Sequence, residues 1–291
     1  MIGKTRQKPA PEIEEVYDPQ VGKARGVLRR PPLAGKFRHL RRRPSPDLAH
    51  WIAHYWMVSW DLRGRAPHVQ ETLPHPNFHL VFEKDNSTVS GVYTAKFTRT
   101  LEGQSHVFGI KFIPGGFRPF LNAPASTLAN RTIPAQPILG EDVGALQAVL
   151  ASSRGEAEKV EAANVFLRGR VPEPDKTITL VSQLVGRILE EPDIKTVNDL
   201  VTRAGIGKRS LQRIFNDYVG VSPKWVIRRY RLHELIENFD SCSRPDWAQL
   251  AVELGYFDQA HLINDFRSMV GYTPTQYQKL VAAGCSTASR F

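Results

Sequence analysis

The chain has 291 residues, 41% of them hydrophobic and 9% aromatic, which suits about two globular domains with cores of their own. It contains no apolar run near the roughly eighteen residues a membrane span needs, and its opening, MIGKTRQKPAPEIEEVYDPQ, lacks the apolar centre of a secretory signal. Cys242 and Cys285 are too few for a disulfide framework and lack metal-ligand spacing, so a reduced, cytoplasmic compartment is expected. The net charge of +10 favours a polyanionic partner, but it is unevenly spread: residues 1–45 carry twelve Lys/Arg against four Asp/Glu, 46–175 twelve against thirteen, and 176–291 fifteen against twelve.

In chain order, residues 1–45 are rich in Pro, Lys and Arg without apolar period, and a basic, mobile or loosely docked arm is expected there. From Trp51 to Phe117 the texture is β. HYWMVSWDL, HLVFEKD, STVSGVYTAKF and SHVFGIKFIPGGF are β-branched and aromatic runs separated by turn residues, as in a small sandwich or barrel. Gly144–Leu150 and Ala157–Leu167 carry helical periodicity and are placed on that sheet. The stretch RGRVPEPDK (168–176) reads as a linker, and Thr177–Glu190 opens a second domain as an amphipathic helix.

The last hundred residues then repeat themselves. Leu200, Gly205, Leu211, Phe215, Gly220 and Pro223 recur as Leu250, Gly255, Leu262, Phe266, Gly271 and Pro274. The repeated unit is helix, tight turn, helix, then a Gly-x-(Ser/Thr)-Pro restart, the pattern of a helix-turn-helix. In the first unit Thr196 and Asp199 resemble a capping box, Gly205 occupies the turn, and Leu211, Ile214 and Phe215 anchor the second helix. That leaves Lys208, Arg209, Gln212, Arg213 and Asn216 outward, residue types that suit base edges in a major groove: Arg pairs with guanine, Gln or Asn with adenine. Ser222-Pro223 starts a helix of about 17 residues, roughly 25 Å long, which could hold two recognition helices near one DNA turn apart. In the second unit Asp246 and Asp258 are expected caps, with Gln259, His261, Asn264, Asp265 and Ser268 outward, a much less basic set.

Leu211-Gln212-Arg213-Ile214-Phe215, Gly220-Val221-Ser222-Pro223, Arg231-Leu232, Leu254 to His261 and Gly271-Tyr272-Thr273-Pro274 resemble the DNA-binding domain of AraC/XylS-family transcriptional regulators. The resemblance spans about Thr177 to Leu280. It implies a seven-helix module reading two successive major grooves, with Arg209, Gln212 and Arg213 as contacts in the first unit and Gln259, His261 and Asn264 in the second. Two positions depart from that pattern: Gly207 stands at a cap usually held by Ser or Thr, and Asn264-Asp265 where a basic residue is common. Tyr55 to Pro134 also resembles an uncharacterised β-rich domain that precedes some AraC-type modules, implying a sensor or oligomerisation role.

Other chemistry is less well supported. His50 and His54, or His75 and His79 with Glu71 or Glu83, could ligate a metal in a cupin-like barrel, but no compact ligand motif exists. No nucleophile elbow or phosphate-cradling loop is present, so no catalytic residue and no cofactor are expected. Cys242 is expected to be a bystander thiol. The aromatics Trp51, Tyr55, Trp56, Trp60, Phe78, Phe82, Phe108 and Phe112 suit either a β-domain core or a small-molecule pocket.

The expected fold class is therefore α+β: a β-rich, sandwich- or barrel-like N-terminal domain with flanking helices, followed by an all-α double helix-turn-helix domain. The expected boundaries are an arm over 1–45, a sensor or oligomerisation domain over 46–170 and a DNA-binding domain over 177–282. Double-stranded DNA is the expected partner of this non-enzymatic regulator, with RNA polymerase, a small-molecule effector and a second copy of the chain as further candidates and no membrane. The rival readings are a metal-dependent cupin-like enzyme with an accessory DNA module, and an interaction protein whose helical repeat binds a polymerase subunit.

Overall fold

The structure, a computed structural model, describes residues 12–22, 26–28, 36–152, 155–237 and 246–288. Nine strands among these residues form two sheets: β1 (Glu12–Tyr17), β2 (Lys36–Arg42), β3 (Ile52–Asp61), β4 (His68–Thr72), β5 (His79–Glu83), β6 (Asn86–Ser90), β7 (Phe97–Leu101), β8 (Gln104–Phe112) and β9 (Thr132–Pro134). The large sheet has the order β1-β2-β3-β8-β5-β6-β9, antiparallel except for β1 beside β2, and β4 pairs with β7 separately.

Strand alternation sorts the large sheet into two chemically different faces. Leu40, Tyr55, Met57, Phe108, Ile110, Leu80 and Phe82 share one face through the register pairs Leu40↔Met57, Tyr55↔Ile110, Met57↔Phe108, Leu80↔Ile110 and Phe82↔Phe108. All are buried in one core, and each large side chain there contributes about 1.5–3 kcal/mol through area removed from water. The opposite face carries Trp56, Val58 and Trp60 of β3 with Val107 of β8. Trp56 is accommodated because its cross-strand partner is Gly109; a Cβ at that glycine would stand 1.9 Å from the indole Cε2.

Helices α1 (Gln136–Leu139), α2 (Val143–Ala151) and α3 (Glu156–Arg168) pack on the apolar face through Leu139, Leu146, Leu150, Ala163, Phe166 and Leu167. The expectation of a loosely docked arm over 1–45 fails for residues 12–17, which form β1 beside β2, and for residues 36–42. Residues 36–42 form β2, paired with β3 along its whole length, and Arg41 is buried at 9% exposure. The basic residues disguised this strand, because two of them pair with acids: Arg38 bonds Glu14 and Glu156, and Arg42 bonds Glu156. The first eleven residues, like Cys242, lie outside the described residues.

The remaining helices are α4 (Lys176–Glu190), α5 (Val197–Ala204), α6 (Lys208–Ile214), α7 (Pro223–Glu237), α8 (Trp247–Glu253), α9 (Gln259–Val270) and α10 (Pro274–Ala288). They do not hang from a bare linker. One continuous core runs from the sheet through Ile178, Val181 and Val185 of α4 to Phe215, Val219 and Val226. A second core joins Leu232 and Ile236 of α7 to Ala251, Tyr256, Leu262, Phe266 and Met269, and it is closed by Leu28 and Leu73 from the N-terminal part.

Candidate nucleic-acid interface

Two helix pairs, α5–α6 and α8–α9, occupy equivalent places in the repeat, and local chemistry explains both. Thr196 Oγ1 accepts from the Asp199 backbone N–H at 3.2 Å while the Asp199 carboxylate accepts from the Thr196 N–H at 2.7 Å, closing a capping box on α5. In the second pair Asp246 accepts from the Ala248 and Gln249 N–H groups to start α8, and Asp258 accepts from the His261 N–H at 2.7 Å to start α9. The turn glycines sit in left-handed backbone, with φ of 64° at Gly205 and 78° at Gly255, where other residues would be strained.

In the first pair Leu211 and Phe215 are fully buried, which turns Lys208, Arg209, Gln212, Arg213 and Asn216 to solvent. The helix does not stop at Ile214; it widens into a π turn over Phe215–Val219, and Asn216 belongs to that turn. Among the described residues, Lys208, Arg209 and Arg213 make no ion pair, whereas nearby cations are engaged: Arg203 with Glu191 and Asp193, Arg187 with Glu191, Arg228 with Asp265.

In the second pair Leu262 and Phe266 are buried, and Gln259 and Asn264 are exposed. His261 is half-buried: its Nε2 lies 2.8 Å from Arg228 Nη2, and its ring meets Tyr256 edge-on at 5.1 Å. Asp265, expected outward, turns inward instead. Arg228 of α7 pairs with it, donating from Nη1 to Oδ1 at 3.2 Å with Nε 3.0 Å from Oδ2. The acidic residue on α9 thus fastens that helix to the central rod. The rod α7 has 15 residues, about 22 Å at 1.5 Å each.

Residues 200–280 match the family model of a helix-turn-helix domain. The C-terminal unit is an AraC-type helix-turn-helix domain. Domains of this type belong to DNA-binding transcription regulators. Residues 40–134, ahead of the AraC-type domain, match a domain of unknown function, DUF6597. No curated protein matches the chain. Similar solved structures include ToxT from Vibrio cholerae in its P21 form, 12% identical, covering 74% of this chain and 98% of that one at a TM-score of 0.36. Unsaturated fatty acid-bound wild-type ToxT from Vibrio cholerae strain SCE256 is 11% identical and covers 74% and 95% at a TM-score of 0.36. Likeness this shallow leaves the chemistry of the present chain to its own residues.

The N-terminal part grips the AraC-type domain at both restarts of the repeat, a feature the sequence did not announce. Gly220, at φ of 91°, lies against Ala125, where a Cβ would stand 3.0 Å from the carbonyl oxygen; its counterpart Gly271, at φ of 80°, lies against Lys96. Arg118 bonds Asp217 at 2.7 Å, and Trp225 Nε1 donates to the Thr94 carbonyl at 3.2 Å. Tyr272 donates to the buried Glu71 carboxylate at 2.9 Å, beside the Lys96–Glu71 ion pair. The exposed faces of α6 and α9 carry none of these contacts.

Several of the metal candidates are otherwise engaged. His54 meets Arg41, His79 accepts from Trp56 Nε1, and Glu83 pairs with Arg99. Among the described residues no group of three His, Cys, Asp or Glu is placed to hold a metal ion. No helix among them is long and apolar enough to cross a membrane.

Proposed function

We propose that the chain is a sequence-specific transcription regulator that lays α6 and α9 in successive major grooves of duplex DNA. Lys208, Arg209, Gln212, Arg213 and Asn216 form the first contact set, and Gln259, His261 and Asn264 the second. The observation that carries this reading is the state of α6 and the π turn that continues it: three cations and two amides stand exposed there, with the cations outside any ion pair among the described residues. Phosphates are natural partners for such cations, and Arg and Gln suit base edges. The second set is nearly neutral, so α9 contributes polar edge contacts and shape while α6 supplies most of the electrostatic affinity. The β-rich domain, seated on both units of the repeat, senses a small molecule or pairs two copies; pairing would raise avidity without new contacts to DNA.

The test is fluorescence anisotropy of the full chain on duplexes selected from genomic fragments, repeated across salt concentrations. Three cations reaching phosphates give a log K against log salt slope of about −3, near −0.9 per phosphate. Absence of salt-sensitive duplex binding overturns the reading in favour of a protein-binding repeat, with a polymerase subunit as the partner to try.

A further inference from the structure

The two units of the repeat differ by one residue in the turn. In the first, Ile206 alone separates the turn glycine Gly205 from Gly207, the residue ahead of α6; in the second, Tyr256 and Phe257 separate Gly255 from the cap Asp258. Tyr256 takes the inward place. Like Ile206 it packs on the core of its own unit, and its ring meets His261 edge-on at 5.1 Å. The additional residue is Phe257. It is 91% exposed, the most exposed large apolar side chain among the described residues.

Packing does not account for this ring. An apolar residue just ahead of a helix cap ordinarily staples onto the fourth residue of the helix. Here that residue is Leu262, fully buried in the second core, while Phe257 stays in solvent. The backbone on both sides is pinned, so the ring is held out. Tyr256 N–H donates to the Ala251 carbonyl at 2.8 Å, and Asp258 accepts from the His261 N–H at 2.7 Å. Gly255 lies against Lys195, where a Cβ would stand 2.8 Å from the lysine Cβ. A phenyl ring kept in water is unfavourable for the protein alone, and burial against a partner relieves it.

The position of the ring identifies the partner. In a helix-turn-helix the N-terminal residues of the second helix meet the base edges. Counted from the residue ahead of each helix, Gln259 and Ala260 of α9 stand where Lys208 and Arg209 stand on α6. The second unit therefore begins with an amide and a methyl where the first begins with two cations, and Ala260 is exposed as well. Such an apolar surface has a match in the major groove: the C5 methyl of thymine, which Phe and Ala side chains contact. We propose that Phe257, with Ala260 on the other side of the cap, reads a thymine methyl in the half-site under α9. The proposal rests on the regulator reading above and gives α9 a specificity that needs no charge.

The experiment is a thermodynamic cycle by fluorescence anisotropy, with the full chain and its Phe257→Ser variant. The duplexes are the selected one and versions in which each thymine of the α9 half-site in turn is uracil. That half-site is the one whose protection Gln259→Ala/Asn264→Ala weakens. Uracil keeps every pairing atom and loses only the methyl, so coupling between the two changes belongs to that group. We expect uracil at one position to weaken wild-type binding about fourfold, the worth of one buried methyl group, and to leave the variant unaffected. Phe257→Ser should itself bind the thymine duplex more weakly and melt at the wild-type temperature. Equal uracil sensitivity in both proteins, sensitivity in neither, or a half-site without thymine overturns the proposal. A melting temperature several degrees lower does so too, because it would place the ring in packing. A wild type that sediments as a dimer where the variant is monomeric overturns it in favour of a second copy on the ring. With salt-sensitive duplex binding present, these outcomes strike this proposal alone; its absence refutes the regulator reading, and this proposal with it.

Discussion

Arg231→Met tests how the first helix pair is held on the rod. Arg231 is 3% exposed, and its Nη2 donates to the carbonyls of Ile188, Glu191 and Ile194 at 3.2, 3.0 and 3.1 Å. Those carbonyls end α4 and form the loop into α5, where the helix leaves acceptors without intrahelical partners. One guanidinium thus closes a helix end and sets where the first pair begins. A hydrogen bond from a charged donor contributes about 1.5–3 kcal/mol, but three sharing one nitrogen do not add in full. Methionine fills similar volume with no donor and leaves no buried charge, so the expected loss is about 3–5 kcal/mol, at the upper end for single substitutions. Urea denaturation followed by far-ultraviolet circular dichroism reads it: with a slope of about 2 kcal/mol/M, the midpoint falls by about 1.5–2.5 M. Arg231→Lys, which keeps the charge but not the fork, should fall between. A loss under about 1 kcal/mol for Arg231→Met refutes the reasoning, because it would mean the three carbonyls find water or other donors at no cost.

Arg213→Ala should weaken specific duplex binding by about 1–3 kcal/mol in anisotropy titrations and leave the melting temperature unchanged, since the side chain is exposed and outside any ion pair among the described residues. Tyr272→Phe removes a donor to the buried Glu71 carboxylate at 2.9 Å and should cost about 1.5–3 kcal/mol in denaturant unfolding, with faster amide exchange in α10. Acid should also destabilise the N-terminal domain. His79 is held at about 3 when folded, so between the ordinary unfolded value near 6.5 and 3 only the unfolded chain takes up the proton; stability falls as pH drops through that window, and His54 adds in the same direction. Melting temperatures from pH 7 to 4 measure it, and replacing His79 with Gln should flatten the profile.

The C-terminal half was legible because its signals are local. The cap residues Thr196, Asp246 and Asp258, the turn glycines and the buried Leu211, Phe215, Leu262 and Phe266 declare each helix within a few residues. The helices expected over 144–150, 157–167 and 177–190 likewise fall inside α2, α3 and α4. What escaped depends on partners distant in sequence. Strand β2 looked like a basic tail because Glu14 and Glu156, which bind its arginines, lie 24 and 118 residues from Arg38. Asp265 looked solvent-facing because its spacing on α9 cannot reveal Arg228 on α7. The shared core, and the seating of Gly220 and Gly271 against the β-rich part, left only ordinary apolar residues and glycines in the sequence. The row of Arg41, His54, Lys111 and His79 on the sheet face away from the apolar core was visible only as scattered polar residues, one of them mistaken for part of an arm, until register aligned them.

The central claim is that α6 and α9 enter neighbouring major grooves, and hydroxyl-radical footprinting on a selected duplex tests it most directly. Two protected blocks, centred about one helical turn or roughly 10 base pairs apart, are expected, with Arg209→Ala/Arg213→Ala weakening one block and Gln259→Ala/Asn264→Ala the other. A single block that both double variants weaken alike, or protection that neither changes, would contradict it.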